Sequence, residues 1–379
     1  MERQGNVMIF IVSLIICLSY LFFFLWISGS LFIDSDEQQV DRDYLFVSII
    51  VAIRNEEANI IDLLDCLVSQ NYPTELYEII IVNDRSTDNS TEIIKPYLSR
   101  FPNISLITIH QTELGWGSKK WALNSGINQA IGTVVIQTDA DCRPPSTWVK
   151  SMASKFDDDG ISFVFGPSPL HSSIPLLSHF FEFESLSQDS ISAASSSRGL
   201  VMSCTGRNMG FRKSTFVKIN GYDGIEHFVS GDDDLLIQKF ASKSKAGIIF
   251  NYDSSALVKS SAPSTLNEFI NQRIRFASKG IDYYLIDTTL AFRLILPLIL
   301  LTNISVLFSF YNIVAFSSVK WSIIFYCKLL ADMVLTFTFF KKISYSWNIL
   351  AFLFLSFIHP LYITLFAMSA PFIEFKWKQ

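Results

Sequence analysis

The chain has 379 residues, half of them apolar, with 34 Phe, five Cys and a formal net charge of −5. That is greasier than the roughly 45–50% apolar share of ordinary soluble domains, and the excess sits at the two ends. The modest acidic balance, without a basic stripe, excludes nucleic acid as a partner. Cysteines scattered singly, with no CxxC pair, exclude a disulfide scaffold and suit a reducing compartment.

Val7 to Ser28 (VMIFIVSLIICLSYLFFFLWIS) approaches the ~20 apolar residues that cross a bilayer. It is longer than the roughly 7–15-residue core of a signal peptide, and no small-residue cleavage site follows. Residues 1–30 are therefore expected to be a retained anchor, followed by a linker over 31–43 that is polar and acidic from Asp34 to Asp43.

A regular alternation then begins. Phe46–Ile53 is a predicted strand, and Glu57–Ser69 a helix with Ile60, Ile61, Leu64, Leu67 and Val68 on its apolar side, stopped by Pro73. Glu78–Val82 is a second strand, followed by the turn NDRSTDNS and a helix from about Thr91. Ile104–His110 is a third strand, Lys119–Ile131 a helix and Thr133–Thr138 a fourth strand. This spacing predicts an α/β fold whose largely parallel sheet is covered on both faces. After a strand at Ile161–Phe165 the pattern is less regular, with a Ser-rich aromatic stretch at His179–Arg198 and a basic amphipathic one at Asn267–Gly280. Three apolar segments close the chain, at about 289–316, 321–340 and 346–370, the last interrupted by Pro360; with the anchor they make three or four spans. Lys341 and Lys342 between the last two favour a cytosolic loop, and one helical hairpin then puts 44–285 in the cytosol as well.

In parallel α/β sheets ligands bind beyond the carboxyl ends of the strands. Polar residues collect there: Asn55 and Glu56 after the first strand, Asp84 after the second, Asp139 and Asp141 after the fourth. No GxGxxG or P-loop occurs, so neither a dinucleotide fingerprint nor a Walker motif explains them. Asp139-Ala140-Asp141 reads either as a solvated loop or as two hard-oxygen ligands for Mg²⁺ or Mn²⁺. In SGDDDLL (230–236) the acids are either helix-capping groups or include a general base. Lys119 and Lys120 are either a surface pair or supply one phosphate-facing cation. QRIRF (272–276) either lies on the bilayer surface or reaches the ligand.

Taken in order, VSIIVAIRNEE (47–57), IIIVNDRSTDNS (79–90), KKWALNSG (119–126), TDAD (138–141), CTGRNMGFRKSTF (204–216), SGDDDLL and QRIRF resemble the family 2 glycosyltransferases. The similarity is to membrane-anchored members related to poly-N-acetylglucosamine, hyaluronan and cellulose synthases. It implies a GT-A fold, a Rossmann-like nucleotide-binding domain over 44–285, with 286–379 a membrane region of two or three helices. It also implies a multi-pass protein of the cell membrane that transfers a hexose or N-acetylhexosamine with inversion. The donor would be a UDP-sugar, the acceptor a glycan or lipid hydroxyl in cell-envelope synthesis, and the cofactor Mg²⁺ or Mn²⁺.

Carried over by residue, the resemblance gives Glu56 and Asp84 to the uridine, with Ala52 and Asn55 lining that pocket and Lys119 near the diphosphate. Asp139 would touch the ribose or the metal, and Asp141 would ligate the metal. Asp232 and Asp233 fill the D/E-D motif, Asp233 at the position of the base. Gly206, Arg207 and Asn208 would form an acceptor-side loop, and Gln272, Arg273, Arg275 and Phe276 would occupy the Q-x-x-R-W region facing the diphosphate and the acceptor. Two departures stand out: Asn83 replaces the first Asp of a DD pair, and Phe276 replaces Trp, keeping a stacking face but losing the indole N–H. They support the alternative, a non-catalytic nucleotide-sugar-binding scaffold or sensor.

Overall fold

The computed structural model describes residues 2–33, 44–280, 282–284, 286–369 and 372–373; the polar stretch 34–43 of the expected linker lies outside these residues. Helix α1 (Glu2–Ser28) comes first. The alternation follows as β1 (Val47–Ile53), α2 (Ile60–Val68), β2 (Tyr77–Asp84), α3 (Ser90–Arg100), β3 (Ile104–Ile109), α4 (Ser118–Gln129) and β4 (Val134–Gln137). Next come β5 (Cys142–Arg143), α5 (Trp148–Ser154), β6 (Ile161–Phe165), β7 (Leu170–His171), α6 (Pro175–Ser196) and β8 (Met209–Arg212). Then α7 (Lys213–Lys218), α8 (Asp234–Lys243), β9 (Gly247–Phe250), β10 (Lys259–Ser261) and α9 (Leu266–Ser278) lead to α10 (Leu290–Phe316), α11 (Ser322–Lys342) and α12 (Ile349–Ser369).

The main sheet has the order β3-β2-β1-β4-β8-β6-β9. Strands β1 to β4 are mutually parallel where they pair, and β8 runs antiparallel to β4 and β6. A small second sheet orders β5-β10-β7. Central β1 is covered on both faces, which is why its sequence is an almost unbroken apolar run. Val47, Ile49, Val51 and Ile53 pack with Leu63, Leu64 and Leu67 of α2 on one face. Ile50 packs with Ala122, Leu123 and Ile127 of α4 on the other. Gly126 permits that approach: a Cβ there would lie 2.9 Å from the Cγ2 atoms of Ile50 and Val82.

Two expectations change. Helix α2 starts at Ile60 rather than Glu57, because Asn55 adopts φ +53° and the chain turns before the Ile60 N–H reaches the Glu56 carbonyl at 3.0 Å. The Ser-rich stretch that looked irregular is α6, 22 residues long with Pro175 in its first turn. Its serines bond back to its own carbonyls, Ser185 to Phe181 at 2.7 Å and Ser187 to Phe183 at 2.6 Å. Hydroxyls satisfied in this way can be buried.

Among the described residues four helices are long and apolar enough to cross a membrane: Asn6–Phe32, Leu290–Phe316, Val319–Lys342 and Ile349–Ser369. Pro360 does not divide the last. Lys328 and Asp332, one helical turn apart on α11, pair with each other, and the Tyr20 hydroxyl donates to Asp332 at 2.6 Å. One hydrophobic cluster runs from Ile50 and Val82 of the sheet through α6 and α8 to Phe24, Phe292 and Phe339 of the apolar helices.

Candidate active site

Because β1, β2 and β4 are adjacent and parallel, their carboxyl ends open on one edge of the sheet. Lys119, in the first turn of α4, stands at its centre, with Nζ 2.8 Å from Asp139 Oδ1 and 2.8 Å from Asp232 Oδ2. Burial alone would lower its pKa, but the two carboxylates hold the ammonium well above its usual range. Lys120 turns away and donates to the carbonyls of Phe228 and Ser230 at 2.8 and 2.6 Å; burial pushes it down to about 8. Of the two lysines, Lys119 is the one that faces the acids, and Lys120 anchors the segment before the DDD motif.

The Asp141 carboxyl is raised by burial, then by Asp139, with Arg207 and a 3.2 Å hydrogen bond from Ser260 opposing. Ser260 arrives on β10, paired beside β5, a placement nothing in the local sequence announces. Among the described residues no three His, Cys, Asp or Glu side chains gather to hold a metal by themselves. Two hard carboxylates whose proximity raises the pKa of one of them nonetheless fit a divalent ion that takes its other ligands from phosphate and water.

The three acids at the start of α8 face three ways. Asp232 is buried against Lys119. Asp233 caps the helix, its Oδ1 accepting the Asp234 N–H at 2.7 Å and its Oδ2 the Gly206 N–H at 2.9 Å, and it stays half-buried. Asp234 is buried and bonded by Lys279 and the Tyr283 hydroxyl. Burial would raise its pKa; Lys279 pulls it below the usual carboxylate range instead. Gly231 makes the turn at φ +88°, where a Cβ would come 2.4 Å from Leu235 Cγ.

At the β1 and β2 ends, Asp84 is 4% exposed and held by Arg85, with Nε 2.8 Å from Oδ1 and Nη2 3.2 Å from Oδ2. Arg85 also donates to Ser118 at 3.0 Å, at the start of α4. Ala52 is half-buried one residue before the end of β1, and Glu56 Oε2 accepts from Asn59 at 2.9 Å. Asn83, near the end of β2, braces the turn that follows: its Oδ1 accepts the Ser86 N–H at 3.0 Å and its Nδ2 donates to Thr91 at 2.8 Å.

Three residues of the expected ligand set hold protein partners in this structure. The Asn55 carbonyl oxygen accepts the Thr87 N–H at 2.8 Å, so its amide ties two loops together. Asn208 is fully buried, its Oδ1 accepting from Trp148 at 2.9 Å and both Nδ2 hydrogens donated, to the carbonyls of Pro167 and Ala256 at 3.0 and 2.8 Å. Arg273 is 5% exposed in an ion pair with Glu184 at 2.5 Å, a contact between α9 and α6. Gln272 Oε1 is buried without a hydrogen-bond partner, and Arg275 lies 5.2 Å over the ring of half-exposed Phe276. Gly206 sits against Asp232 and Asp233, and Arg207 lies within electrostatic reach of Asp141 and Asp189.

Asp189, on α6, escaped the sequence reading. It is buried and accepts the Ser168 N–H at 2.9 Å; burial lifts its carboxyl to about 6, that bond and Arg207 opposing. The folded state therefore holds this proton more tightly than the unfolded one, and stability falls as pH rises from about 4 through about 6. Asp189→Asn keeps the acceptor oxygen and removes the charge. It is expected to stabilise on the order of 1–3 kcal/mol at about pH 8 and to be near neutral at about pH 4. Thermal melts at the two pH values check this, and a loss of stability at the higher one contradicts it.

A model described as Glycosyl transferase family 2 matches residues 48–219, and one described as Glycosyl transferase family group 2 matches residues 134–369, more than half of the chain. The probable glycosyltransferase YdaM of Bacillus subtilis is 25% identical over 313 residues, 82% of this chain and 72% of that protein. The poly-beta-1,6-N-acetyl-D-glucosamine synthase of Staphylococcus epidermidis is 27% identical over 334 residues, 85% of this chain and 73% of that one. Glycosyltransferase AglE of Haloferax volcanii is 29% identical over 121 residues, so this chain spans only 38% of that relative's length. Among solved structures, the mannosyltransferase PcManGT from Pyrobaculum calidifontis, in complex with GDP-Man and Mn²⁺, superposes with a TM-score of 0.61 at 16% identity. The match covers 96% of this chain and 97% of that one, and it carries the fold. Ordered motifs, a mixed α/β GT-A architecture and the family models agree: the chain belongs to the family 2 glycosyltransferases, which transfer a sugar from a nucleotide sugar.

Proposed function

We propose that this protein is a multi-pass membrane enzyme, its sheet region in the cytosol, that transfers a hexose or N-acetylhexosamine with inversion. The donor is a UDP-sugar and the acceptor a hydroxyl group in cell-envelope glycan or glycolipid synthesis. The observation that carries this reading is Lys119, bonded at once to Asp139 of the DxD motif and to Asp232 beside the base candidate Asp233. One cation thereby joins the donor-side acids to the acceptor-side acids.

In this reading Glu56 and Asp84 recognise the uridine, with Arg85 released from Asp84 or retained beside the base. Asp139 and Asp141 hold Mg²⁺ or Mn²⁺, which when bound neutralises charge on the leaving diphosphate. Asp233, aimed by the N–H groups of Gly206 and Asp234, takes the proton of the acceptor hydroxyl as its oxygen attacks the anomeric carbon. The bond from that carbon to the diphosphate oxygen breaks, the nucleoside diphosphate leaves with the electron pair, and the configuration inverts. Arg207, near Asp141 and Asp189, faces the acceptor side.

The scaffold alternative rests on Asn83 and Phe276, and the Asn83 side chain bonds Ser86 and Thr91 in this structure. Turnover of a panel of UDP-sugars by membranes carrying the protein, with GDP-sugars as controls and products identified by mass spectrometry, tests the proposal. Asp141→Ala, or chelation with EDTA, is expected to lower transfer about a hundredfold or more. Full activity after either change removes the metal from the scheme, and tight UDP binding with no transfer favours the scaffold.

A further inference from the structure

The chain leaves β1 through Asn55 at φ +53° and β2 through Arg85 at φ +56°. Non-glycine residues seldom adopt this left-handed backbone, and such conformations gather at ligand sites. Strands β1 and β2 pair in parallel as far as Ile53 with Asn83, so Arg54 and Asp84 come next and emerge side by side. Arg54 Nη1 lies 3.9 Å from Asp84 Oδ2, an ion pair too long for a hydrogen bond. The Arg54 Nε is buried and has no hydrogen-bond partner among the described residues, a costly condition unless a ligand supplies an acceptor.

Arg85 closes on the same carboxylate, its Nε on Oδ1 and its Nη2 on Oδ2, and Nη2 also donates to Ser118 at 3.0 Å. Ser118 directly precedes Lys119, so this end of the sheet edge is tied to the residue that meets Asp139 and Asp232. Neither side of the contact is saturated. A carboxylate has about four lone-pair sites and a guanidinium about five N–H groups, of which Arg85 gives two to Asp84 and one to Ser118. Both guanidiniums are partly exposed. The edge therefore presents one acceptor with two charged donors beside it, one from the β1 end and one fixed to the start of α4.

We infer that Arg54 and Arg85 set the nucleotide specificity, donating to the O2 and O4 carbonyls of a uracil base whose N3–H goes to Asp84. The inference rests on the glycosyl-transfer reading above, in which Asp84 meets the uridine. The imide edge of uracil runs acceptor, donor, acceptor, the complement of guanidinium, carboxylate, guanidinium. Cytosine carries an amino donor at position 4 and an acceptor at N3, so it sets donor against donor and acceptor against acceptor. Guanine carries two adjacent donors, N1–H and the 2-amino group, and one of them would face a guanidinium. A mismatched base leaves charged groups of the site unpaired, and that is how a polar site rejects an analogue.

The test titrates the full chain, in phosphatidylcholine nanodiscs with Mn²⁺, by calorimetry with UDP, CDP, GDP, 2-thio-UDP and 4-thio-UDP. The native protein is expected to bind UDP about a hundredfold more tightly than CDP or GDP, and to lose affinity for both thio analogues, since sulfur accepts hydrogen bonds poorly. Arg54→Met and Arg85→Met are each expected to weaken UDP binding about tenfold. Each variant should also become indifferent to one of the two thio substitutions, because the donor that felt it is gone. A structural effect would weaken all uridine ligands alike, and that result overturns the inference. Arg85→Met also strips Asp84 of its partner, so Arg54→Met, which breaks no hydrogen bond, decides the matter if the other variant does not fold. Tighter binding of GDP or CDP than of UDP by the native protein overturns the inference too, but not sugar transfer, which is read separately by mass spectrometry of products. The expected binding pattern without transfer to any acceptor supports the base contacts and overturns the glycosyl-transfer reading instead.

Discussion

Asp233→Asn is expected to lower sugar transfer by ~10²–10⁴-fold, the contribution of a general base, with UDP binding unchanged. Asn is itself a competent helix cap, and its carbonyl oxygen can still accept the Asp234 or Gly206 N–H that the carboxylate accepts at 2.7 and 2.9 Å. Helix α8 should therefore form, and thermal stability should change little. The loss falls on kcat, because what is removed is the ability to take a proton. Asp232 is a poor substitute, since it is 6% exposed and its Oδ2 is bonded to Lys119. Initial rates against donor concentration, with calorimetric UDP titration as the control, make the measurement. Near-normal kcat in Asp233→Asn transfers the role of base to Asp232.

Lys279→Met is expected to be the most destabilising single change near the site, by about 3–5 kcal/mol, because it leaves Asp234 buried without its counter-charge. In the native protein the Asp234 pKa is lowered and that of Lys279 raised, in each case by the partner overcoming burial. The sign follows for each group. Asp234 contributes stability above its unfolded value near 4, lost as pH falls through its lowered value. Lys279 contributes stability below its unfolded value near 10.5, lost as pH rises through its raised value. The native pair is thus stable across the neutral range. In Lys279→Met the slope reverses, since the orphaned Asp234 gains by taking a proton, and the variant should melt higher as pH falls from about 8 towards 5. Adding Asp234→Asn should recover part of the loss, as expected for directly coupled residues. Equal melting of Lys279→Met and the native protein would sink the pairing. Because Asp234 follows Asp233 directly, Lys279→Met is also expected to lower kcat.

The β1 to β4 half was legible in the chain because each element carries its own period: apolar runs for buried strands, a helical stripe for α2, turn residues between them. Helix α6 was not legible. Its serines favour loops by local preference, and only tertiary burial, with the hydroxyls returned to helix carbonyls, makes a helix of them. The apolar helices were legible from length and composition, and α12 runs through Pro360 as one element. In the site, the acids at the strand ends could be located from the pattern alone, since in a parallel sheet those ends coincide. Their partners could not. Lys119 reaches Asp232 across 113 positions and Lys279 reaches Asp234 across 45, and no local pattern encodes such pairings. The same limit applies to Asn208 and Arg273, whose bonds to Trp148 and Glu184 join segments far apart in the chain.

The sequence by itself therefore determined the class of chemistry. Seven ordered motifs and apolar ends specify a membrane-associated glycosyltransferase of family 2, because strand-end acids and span lengths are properties of short segments. The tertiary structure alone decided how the three acids of the DDD motif divide their work. Lys119, the Gly206 amide and Lys279 each take one, since the helix start turns successive side chains in different directions and only distant segments can meet them. The acids pointed to a charged ligand; the fold determined which of them pairs with a lysine and which accepts backbone N–H groups.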